Sequence, residues 1–368
     1  MWLALSIFLL VGVGTAIIYS SSGPYADMRG LATSTYMTAH LKKVIIGFVA
    51  LMVGLSIPPM AWLRFARPMY ILSVILLIFL LVGGSGQTLN GAKRWISLGG
   101  FAFQPSELAK FALIFLLAFK LSINKENLSD YKVGLIAPLT LVGILFFLIL
   151  LQPNYSTASA ILIVALIMMY AAGTQIKHFV YCFFVGIPIV GILAVSSPYR
   201  MKRILAFFDP AANVNSSYQQ LQSLMSLGNG GIFGTGLGDG TQKLGYLPMP
   251  FTDTIFAMVG EELGFLGTLS VILLFGLLAY RGIKIAHEQD NTFLSLVALG
   301  ITLSLAVNAF VHIGVCTRIL PPTGQPLPLI SYGGTNLIMN LFALGVLLAI
   351  SLYRTQPKNH NWNAGGSS

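Results

Sequence analysis

Residues 133–172 read VGLIAPLTLVGILFFLILLQPNYSTASAILIVALIMMYAA, two apolar runs separated by a short polar turn. Neither run carries a charge, and each is close to the roughly 20 residues that an α-helix needs to cross the hydrocarbon of a bilayer. A helix satisfies its backbone hydrogen bonds internally, which is the condition for spanning lipid. This stretch therefore predicts a pair of transmembrane helices.

The same pattern extends over the rest of the chain. Of the 368 residues, 56% are hydrophobic and only 9% are charged, against roughly 25% charged in an ordinary soluble domain. This composition excludes a soluble protein. We predict an all-α polytopic membrane protein, one domain over 1–368, with about ten transmembrane helices. The ten apolar runs are Trp2–Tyr19, Leu41–Met60, Pro68–Gly83, Ser106–Leu121, Val133–Leu151, Ser156–Ala172, Phe179–Ser196, Thr254–Tyr280, Phe293–Cys316 and Gly333–Tyr353.

The connections between the runs predict the orientation in the membrane. An even number of spans places both termini on one side, and the Lys and Arg residues of short loops favour the cytoplasmic side. All loops counted together give ten cations on each side, but the count becomes ten against six when the long stretch 197–253 is left out. We therefore expect one large extracytoplasmic loop, 197–253, between helices 7 and 8, and a short cytoplasmic tail, 355–368.

The formal charge of +10 indicates an anionic partner. The basic residues are scattered over short loops, which argues against nucleic acid and leaves a membrane surface or an anionic substrate. The five histidines show no metal-ligand spacing, and both cysteines lie in apolar runs. The sequence predicts no cofactor or metal site, and it leaves a divalent-cation requirement open.

Four irregular features fall on the same predicted outer face. Irregular backbone at membrane depth is tolerated where protein buries it or where it lines a wet cavity. We therefore expect a cavity that opens outward. The features are Gly83–Glu107, which we expect to be a Gly-rich loop that ends in a helix start, the long loop 197–253, the segment Pro321–Gly334, and a Gln-Pro pair at the outer ends of two helices, Gln104-Pro105 and Gln152-Pro153.

Asp253 is the first candidate for chemistry, because it stands where the long loop meets the eighth apolar run. One interpretation is a helix N-cap. The other is a general base that removes a proton from a hydroxyl nucleophile. A glycosidase would need a second carboxylate as its acid. None lies nearby in sequence, which favours a leaving group that needs no protonation, such as a lipid pyrophosphate.

The other candidates each have a structural and a functional interpretation. Glu107 and Lys110 share one face of the fourth helix and can form an ion pair, as a structural clamp or in contact with substrate. Arg94 and Trp95 suit either an interfacial belt or pyrophosphate binding. The same choice holds for the cations Arg200, Arg203 and Lys243. The segment Pro321–Gly334, here called the broken segment because Pro and Gly interrupt it, contains Gln325 and Ser331. These two residues are candidate sugar contacts, although a re-entrant turn explains them equally well.

Glu261 and Glu262 lie inside the same helix as Asp253, about 12 Å deeper. At that separation they cannot touch Asp253. We expect both to face the protein interior, in a structural role.

Five stretches together resemble the SEDS family of polytopic cell-wall polymerases, which includes FtsW, RodA and a sporulation homologue. They are GAKRWISLGGFAFQPSELAK (91–110), YRMKRILAFFDP (199–210), YQQLQSLMSLGNGGIFGTGLGDGTQKLGYLP (218–248), TDTIFAMVGEELGFLG (252–267) and PPTGQPLPLISYGGTN (321–336). YSSSG (19–23), RILAFFDP and YQQLQSL resemble the division type, FtsW, more than the elongation type, RodA.

The resemblance implies a peptidoglycan glycosyltransferase that polymerises lipid II at the outer face of the bacterial inner membrane. It implies that Asp253 is the catalytic residue, acting on the 4-hydroxyl of the acceptor sugar with inversion at the donor carbon. Trp95, Glu107 and Lys110 would shape a lipid-facing cavity. The implied partners are lipid II, a class B penicillin-binding protein transpeptidase, other division proteins and membrane lipids.

Two alternatives stay open at this point, a lipid II flippase and a RodA-like elongation polymerase. The stretch KLGYLPMPFTD (243–253) also departs from many FtsW sequences, with Gly245, Met249 and Phe251 where Glu, Glu and His are frequent. Roles for loop carboxylates at those positions are therefore not implied.

Overall fold

The computed structural model describes residues 1–82, 86–89, 92–98, 101–182, 184, 201, 205–209 and 214–353. Residues 176–182 and 205–208 are helical, and ten further α-helices lie wholly within these ranges. They are α1 (Trp2–Asp27), α2 (Thr35–Ser56), α3 (Trp62–Val82), α4 (Pro105–Ile123), α5 (Ala137–Leu151), α6 (Tyr155–Ala172), α7 (Val214–Asn229), α8 (Ile255–His287), α9 (Thr292–Cys316) and α10 (Thr335–Leu352). Short 3₁₀ turns cover Pro59–Ala61 and Lys125–Asn127, and a π-helical turn, Lys132–Ile136, precedes α5.

Eight segments of the described chain are long and apolar enough to cross a membrane. They contain α1, α2, α3, α5, α6, α8, α9 and α10, so the multi-pass helical fold is confirmed. The predicted fourth span coincides with α4, which carries three charged residues within its length. The predicted seventh span, Phe179–Ser196, lies largely outside the described residues. The count of ten spans therefore stays a prediction.

Helix α4 forms the centre of the core. Its apolar residues from Phe111 to Leu117 are all buried, on every side of the helix. It packs against α3, α5, α6 and α9, and its first turn approaches α10. A helix buried all round by protein can carry charged groups at membrane depth if they are paired, and α4 carries Glu107 and Lys110.

Helices α2 and α10 lie in close contact through glycines. A Cβ at Gly54 would collide with the carbonyl oxygen of Phe342, and a Cβ at Gly345 would collide with that of Leu51. Small residues let helix backbones approach closely in membranes, where dispersion contacts drive association. This contact fixes α2 beside the helix that follows the broken segment Pro321–Gly334.

The Gly-rich segment after α3 was expected to be a loop, and this expectation was wrong for its described part. It contains an antiparallel sheet in the order β1-β2-β3, formed by Gly86–Leu89, Ala92–Leu98 and Phe101–Phe103. The ladder shifts register between Gln87 and Thr88. Of the glycines that indicated a loop, Gly86 lies inside β1, and Gly83, Gly84, Gly91, Gly99 and Gly100 lie outside the described residues.

The large loop also holds more regular structure than a polar connection implies. Helix α7 lies inside it and packs against α8 and α9. Its buried face carries polar side chains at every third position, which explains why a search for apolar periodicity misses it. These side chains are Ser217, Gln220, Ser223 and Ser226.

Candidate functional site

Asp253 lies half-buried in the turn that precedes α8. The N-cap position of α8 falls on Thr254, so Asp253 stands one residue outside the cap. Its carboxylate faces the broken segment, since a Cβ at Gly324 would lie 3.6 Å from Asp253 Oδ2. The structure therefore brings together two of the features that the sequence placed on one face.

Two hydrogen bonds fasten the broken segment to the Asp253 turn. Ser331 Oγ donates to the carbonyl oxygen of Thr252 at 2.8 Å, and the Tyr332 backbone N–H donates to the carbonyl oxygen of Phe251 at 2.8 Å. Ser331 Oγ also accepts from Leu327 N at 2.8 Å. Ser331 is buried, so its position matches the turn interpretation, and direct contact with substrate stays a prediction.

Gln325 holds the same segment from the other side. Its side-chain Nε2 donates to Thr157 Oγ1 at 3.1 Å, and its backbone carbonyl oxygen lies 2.8 Å from His312 Nδ1. A carbonyl oxygen only accepts, so Nδ1 of His312 carries the hydrogen and Nε2 of the neutral ring is an acceptor. Gln325 is buried, and its predicted contact with sugar is likewise untested.

His312 and Cys316 lie directly beneath the Asp253 turn, and the sequence analysis gave neither a role. Cys316 Sγ lies 3.6 Å from His312 Nε2 and 3.9 Å from the carbonyl oxygen of Asp253. Both side chains are buried. Their spacing of four residues places them on one face of α9. This spacing is the signal in the sequence that could have predicted their contact.

Four aromatic rings pack beside the site. Tyr332 lies 5.4 Å from Phe251 and 5.9 Å from Tyr36, and Phe251 lies 5.3 Å from Tyr25, measured between ring centroids. Edge-to-face pairs of this kind stabilise contacts beyond their buried area. Burial raises the pKa of the Tyr332 hydroxyl. The cluster joins α1 and α2 to the turn that carries Asp253.

Lys43 adds a positive charge to this aromatic cluster. Its Nζ lies 3.8 Å from the centre of the Tyr332 ring, the geometry of a cation–π contact. Lys43 is half-buried, and the described residues hold no carboxylate within ion-pair distance of it. The sequence did not predict a position near the site for Lys43.

The predicted ion pair on α4 is confirmed. Lys110 Nζ lies 2.9 Å from Glu107 Oε2, and both side chains are buried. Asn336 Nδ2 of α10 donates to the same carboxylate oxygen at 3.0 Å, and Asn340 Nδ2 donates to Asn336 Oδ1 at 2.9 Å. Lys110 also borders a narrow, otherwise apolar crevice between α4 and α6. A role of the pair in substrate contact stays a prediction.

Arg94 connects the sheet to the end of α5. Its Nε donates to the carbonyl oxygen of Gln152 at 3.0 Å, and its Nη2 donates to that of Pro153 at 2.5 Å. The second Gln-Pro pair is thereby joined to the Gly-rich segment. Trp95 is the next residue of β2 and is half-buried. Phosphate binding by Arg94 and a cavity-shaping role of Trp95 both stay predictions.

Lys243 is engaged inside the protein. Its Nζ lies 2.8 Å from Glu262 Oε1 and 2.9 Å from Ser20 Oγ, and only 3% of the residue is exposed. This geometry gives Lys243 a structural ion pair between the large loop, α1 and α8. Contact with substrate stays a prediction. Arg200 and Arg203 lie outside the described residues.

The two glutamates of α8 are interior, as expected, but their partners come mainly from the large loop. Glu261 Oε1 accepts from the backbone N–H groups of Thr241 at 2.8 Å and Gln242 at 3.1 Å. The stretch 263–280 that follows them carries no charge. Its 18 residues span about 27 Å, close to the roughly 30 Å of bilayer hydrocarbon. From this length we infer that the hydrocarbon edge lies next to Glu262.

With the edge at that level, the Asp253 turn would lie outside the hydrocarbon. Eight residues of helix separate Ile255 from Leu263, or about 12 Å along the axis of α8.

In the part of the chain that the structure describes, no three His, Cys, Asp or Glu side chains gather as metal ligands. The predicted outward cavity stays a prediction, since part of the surrounding loop is not described.

Comparison with known proteins identifies the class. The family model of FtsW, RodA and SpoVE, described as cell cycle protein, matches residues 1–356. The chain belongs to this family of polytopic membrane proteins.

Curated relatives align over nearly the whole chain. Stage V sporulation protein E of Bacillus subtilis is 37% identical over 346 residues, 94% of each chain. A probable peptidoglycan glycosyltransferase FtsW of Trichlorobacter lovleyi is 38% identical over 350 residues, 95% of this chain and 92% of the relative.

Solved structures share the fold. Thermus thermophilus RodA, the rod shape determining protein, superposes with a TM-score of 0.71 at 25% identity, over 96% of this chain and 97% of the other. A second chain comes from work on structural coordination of polymerization and crosslinking by a peptidoglycan synthase complex. It gives a TM-score of 0.75 at 25% identity, over 95% of this chain and 96% of the other.

Proposed function

We propose that this protein is a peptidoglycan glycosyltransferase that polymerises lipid II into β-1,4-linked glycan strands. The observation that carries the proposal is the position of Asp253, a half-buried carboxylate outside the hydrocarbon edge and facing the broken segment at Gly324. The relatives named as probable peptidoglycan glycosyltransferases support the same activity.

The proposed mechanism uses one carboxylate, that of Asp253. Asp253 takes the proton of the acceptor sugar 4-hydroxyl as that oxygen attacks the anomeric carbon of the donor chain. The new C–O bond forms as the bond from that carbon to the pyrophosphate oxygen breaks, and the configuration inverts. Undecaprenyl pyrophosphate leaves as a stable anion that needs no general acid. The proton then passes from Asp253 to water.

The membrane level of the site suits a lipid-linked substrate. The polyprenyl chain of such a substrate lies in the hydrocarbon, and its pyrophosphate and sugars lie at and beyond the headgroups. The turn at Asp253 stands about 12 Å outward of the hydrocarbon edge along α8. We propose that this side is the outer face of the bacterial inner membrane, with both termini in the cytoplasm.

We further propose that the protein works in cell division beside a class B penicillin-binding protein. The FtsW-named relatives support division, and the peptidoglycan synthase complex among the solved relatives supports a transpeptidase partner. Other division proteins and membrane lipids complete the proposed set of partners. A sporulation or elongation role is the alternative, given the SpoVE and RodA relatives.

The proposal is tested with purified protein and lipid II, with and without the cognate transpeptidase, in Mg²⁺ and in EDTA. Wild type should form glycan polymer and Asp253→Ala should not. Asp239→Asn is a matched control, because Asp239 is an exposed carboxylate of the same large loop. If wild type forms no polymer but moves lipid II between the leaflets of liposomes, and Asp253→Ala still does so, the flippase alternative replaces this proposal.

A further inference from the structure

Helix α8 is interrupted at Gly264, and the large loop repairs the interruption. Gly264 has φ 67° and ψ −164°, so the helical hydrogen bonds around it cannot form. The loop supplies four replacements. Phe265 N–H donates to Gly231 O at 2.9 Å and Leu266 N–H to Ile232 O at 3.2 Å, while Thr235 N–H donates to Glu261 O at 2.9 Å and Gly236 N–H to Glu262 O at 3.1 Å. The loop thus provides hydrogen-bond partners for backbone N–H groups after the break and for backbone carbonyl groups before it.

This contact requires glycine on both sides. A Cβ at Gly264 would collide with Gly234 N and Ile232 O, and a Cβ at Gly234 would collide with the carbonyl group of Glu262. Both residues also have positive φ, 67° and 85°, which side chains of L-residues disfavour. The segment Gly231–Gly236, here called the loop tip, is therefore held against α8 in one position.

The hydrogen bonds also fix the depth of the loop tip. Phe265 and Leu266 are the third and fourth residues of the charge-free stretch 263–280, about 3–5 Å inside the hydrocarbon edge. Gly231 and Ile232 are bonded to them and share their level. Irregular backbone is tolerated at this depth because its polar groups find partners within the protein.

Two side chains of the loop tip, those of Ile232 and Phe233, are large, apolar and exposed. Phe233 is 81% exposed and Ile232 is 62% exposed, beside Phe265 at 59% and Leu266 at 48%. The ion pair Lys243–Glu262, which joins the large loop to α8 near the tip, is buried. The exposed apolar surface is thus continuous with the face that α8 presents to lipid.

We propose that the loop tip inserts Ile232 and Phe233 among the acyl chains of the leaflet on the Asp253 side. The occupant of this surface is lipid, since the tip lies within the hydrocarbon level and merges with the lipid-facing surface of a membrane span. An apolar pair at the upper end of the acyl chains would set the height of the large loop, and of Asp253, relative to the membrane.

The test places a fluorophore on the tip. Phe233→Cys is labelled with NBD in a chain carrying Cys182→Ala and Cys316→Ala, and reconstituted in phosphatidylcholine vesicles. Separate vesicles contain lipid with a nitroxide near the top of the acyl chain or near its terminal methyl. We expect blue-shifted emission and stronger quenching by the shallow nitroxide. Ile232→Cys should behave alike, which keeps the test valid if one variant fails to fold.

The matched control is Asp239→Cys, an exposed polar position of the same loop. Its label should be quenched by iodide present on both sides of the membrane and remain insensitive to the lipid nitroxides. Labels at 232 and 233 that respond to iodide as the control does would overturn the proposal. Shielding from both quenchers would also overturn it, because the surface would then be covered by protein, for example by a second copy.

Discussion

Ser331 Oγ donates a 2.8 Å hydrogen bond to the carbonyl oxygen of Thr252, the residue before Asp253. This bond and the adjacent Tyr332–Phe251 backbone bond fasten the broken segment between α9 and α10 to the turn that begins α8. The position of Asp253 thus depends on residues nearly eighty positions later in the chain.

Removing the Ser331 hydroxyl should loosen the Asp253 turn. Ser331→Ala deletes one buried hydrogen bond and leaves Leu327 N without its acceptor, at an expected cost of about 1–3 kcal/mol. Thermal unfolding in detergent should show a lower Tm, and lipid II polymerisation should slow. Ser270→Ala serves as control, since Ser270 is exposed and bonds only within its own helix. Equal effects of the two substitutions would argue against this support.

His312 is expected to position the broken segment through its Nδ1–H. His312→Asn retains an amide N–H near the position of Nδ1, so it should keep part of the bond to Gln325 O, whereas His312→Phe leaves that buried carbonyl unpaired. We expect His312→Phe to lower both Tm and polymerisation more than His312→Asn. The reverse order, or no difference, would contradict a positioning role.

Lys43 is expected to support the site as a cation beside Tyr332. Lys43→Met removes the cation–π contact, worth about 0.5–2 kcal/mol, and a positive charge that would attract the proposed anionic substrate. Polymerisation should fall, with Lys43→Arg keeping most activity. Lys42→Met, at the exposed neighbouring position, should leave the rate unchanged. If Lys43→Met is as active as Lys42→Met, the charge has no role in the reaction.

Removing one partner of the buried Lys243–Glu262 ion pair should destabilise the protein more than neutralising both. Lys243→Met leaves a buried carboxylate without its partner, at an expected cost of about 3–5 kcal/mol, and the double variant Lys243→Met/Glu262→Gln should recover part of that loss. A double-mutant cycle on the free energy of unfolding measures this coupling. The exposed pair Lys284–Glu288, 46% and 58% exposed, should show at most about 1 kcal/mol. Similar coupling in both pairs would show that Lys243 is not desolvated.

The multi-pass helical fold could be predicted from sequence because lipid imposes a simple rule of length and apolarity. Helices α6, α9 and α10 begin and end within two residues of the predicted apolar runs. Other boundaries differ more, because α1 ends eight residues after its run, α8 ends seven residues after its run, and α2 and α3 each begin six residues before theirs. The sheet and α7 could not be predicted in the same way. Strands joined through glycines look like a loop, and α7 buries serines rather than apolar side chains.

The site was predictable where one residue carries a charge in an apolar setting. Asp253, Glu107 and Lys110 stand out for that reason. His312, Cys316 and Lys43 do not, because their proximity to Asp253 arises from the packing of α2 and α9 around the turn. Lys243 shows the converse. The sequence indicated a loop cation that could bind substrate, whereas in the fold Lys243 pairs with the buried carboxylate of Glu262.

The central claim is most directly tested by the rate of lipid II polymerisation in Asp253→Asn. The amide matches the carboxylate in size and still forms hydrogen bonds, but it cannot take a proton from a sugar hydroxyl. The account predicts no glycan polymer from the variant, alone or with the transpeptidase, while its Tm stays close to that of wild type. Polymer formation at the wild-type rate would contradict it.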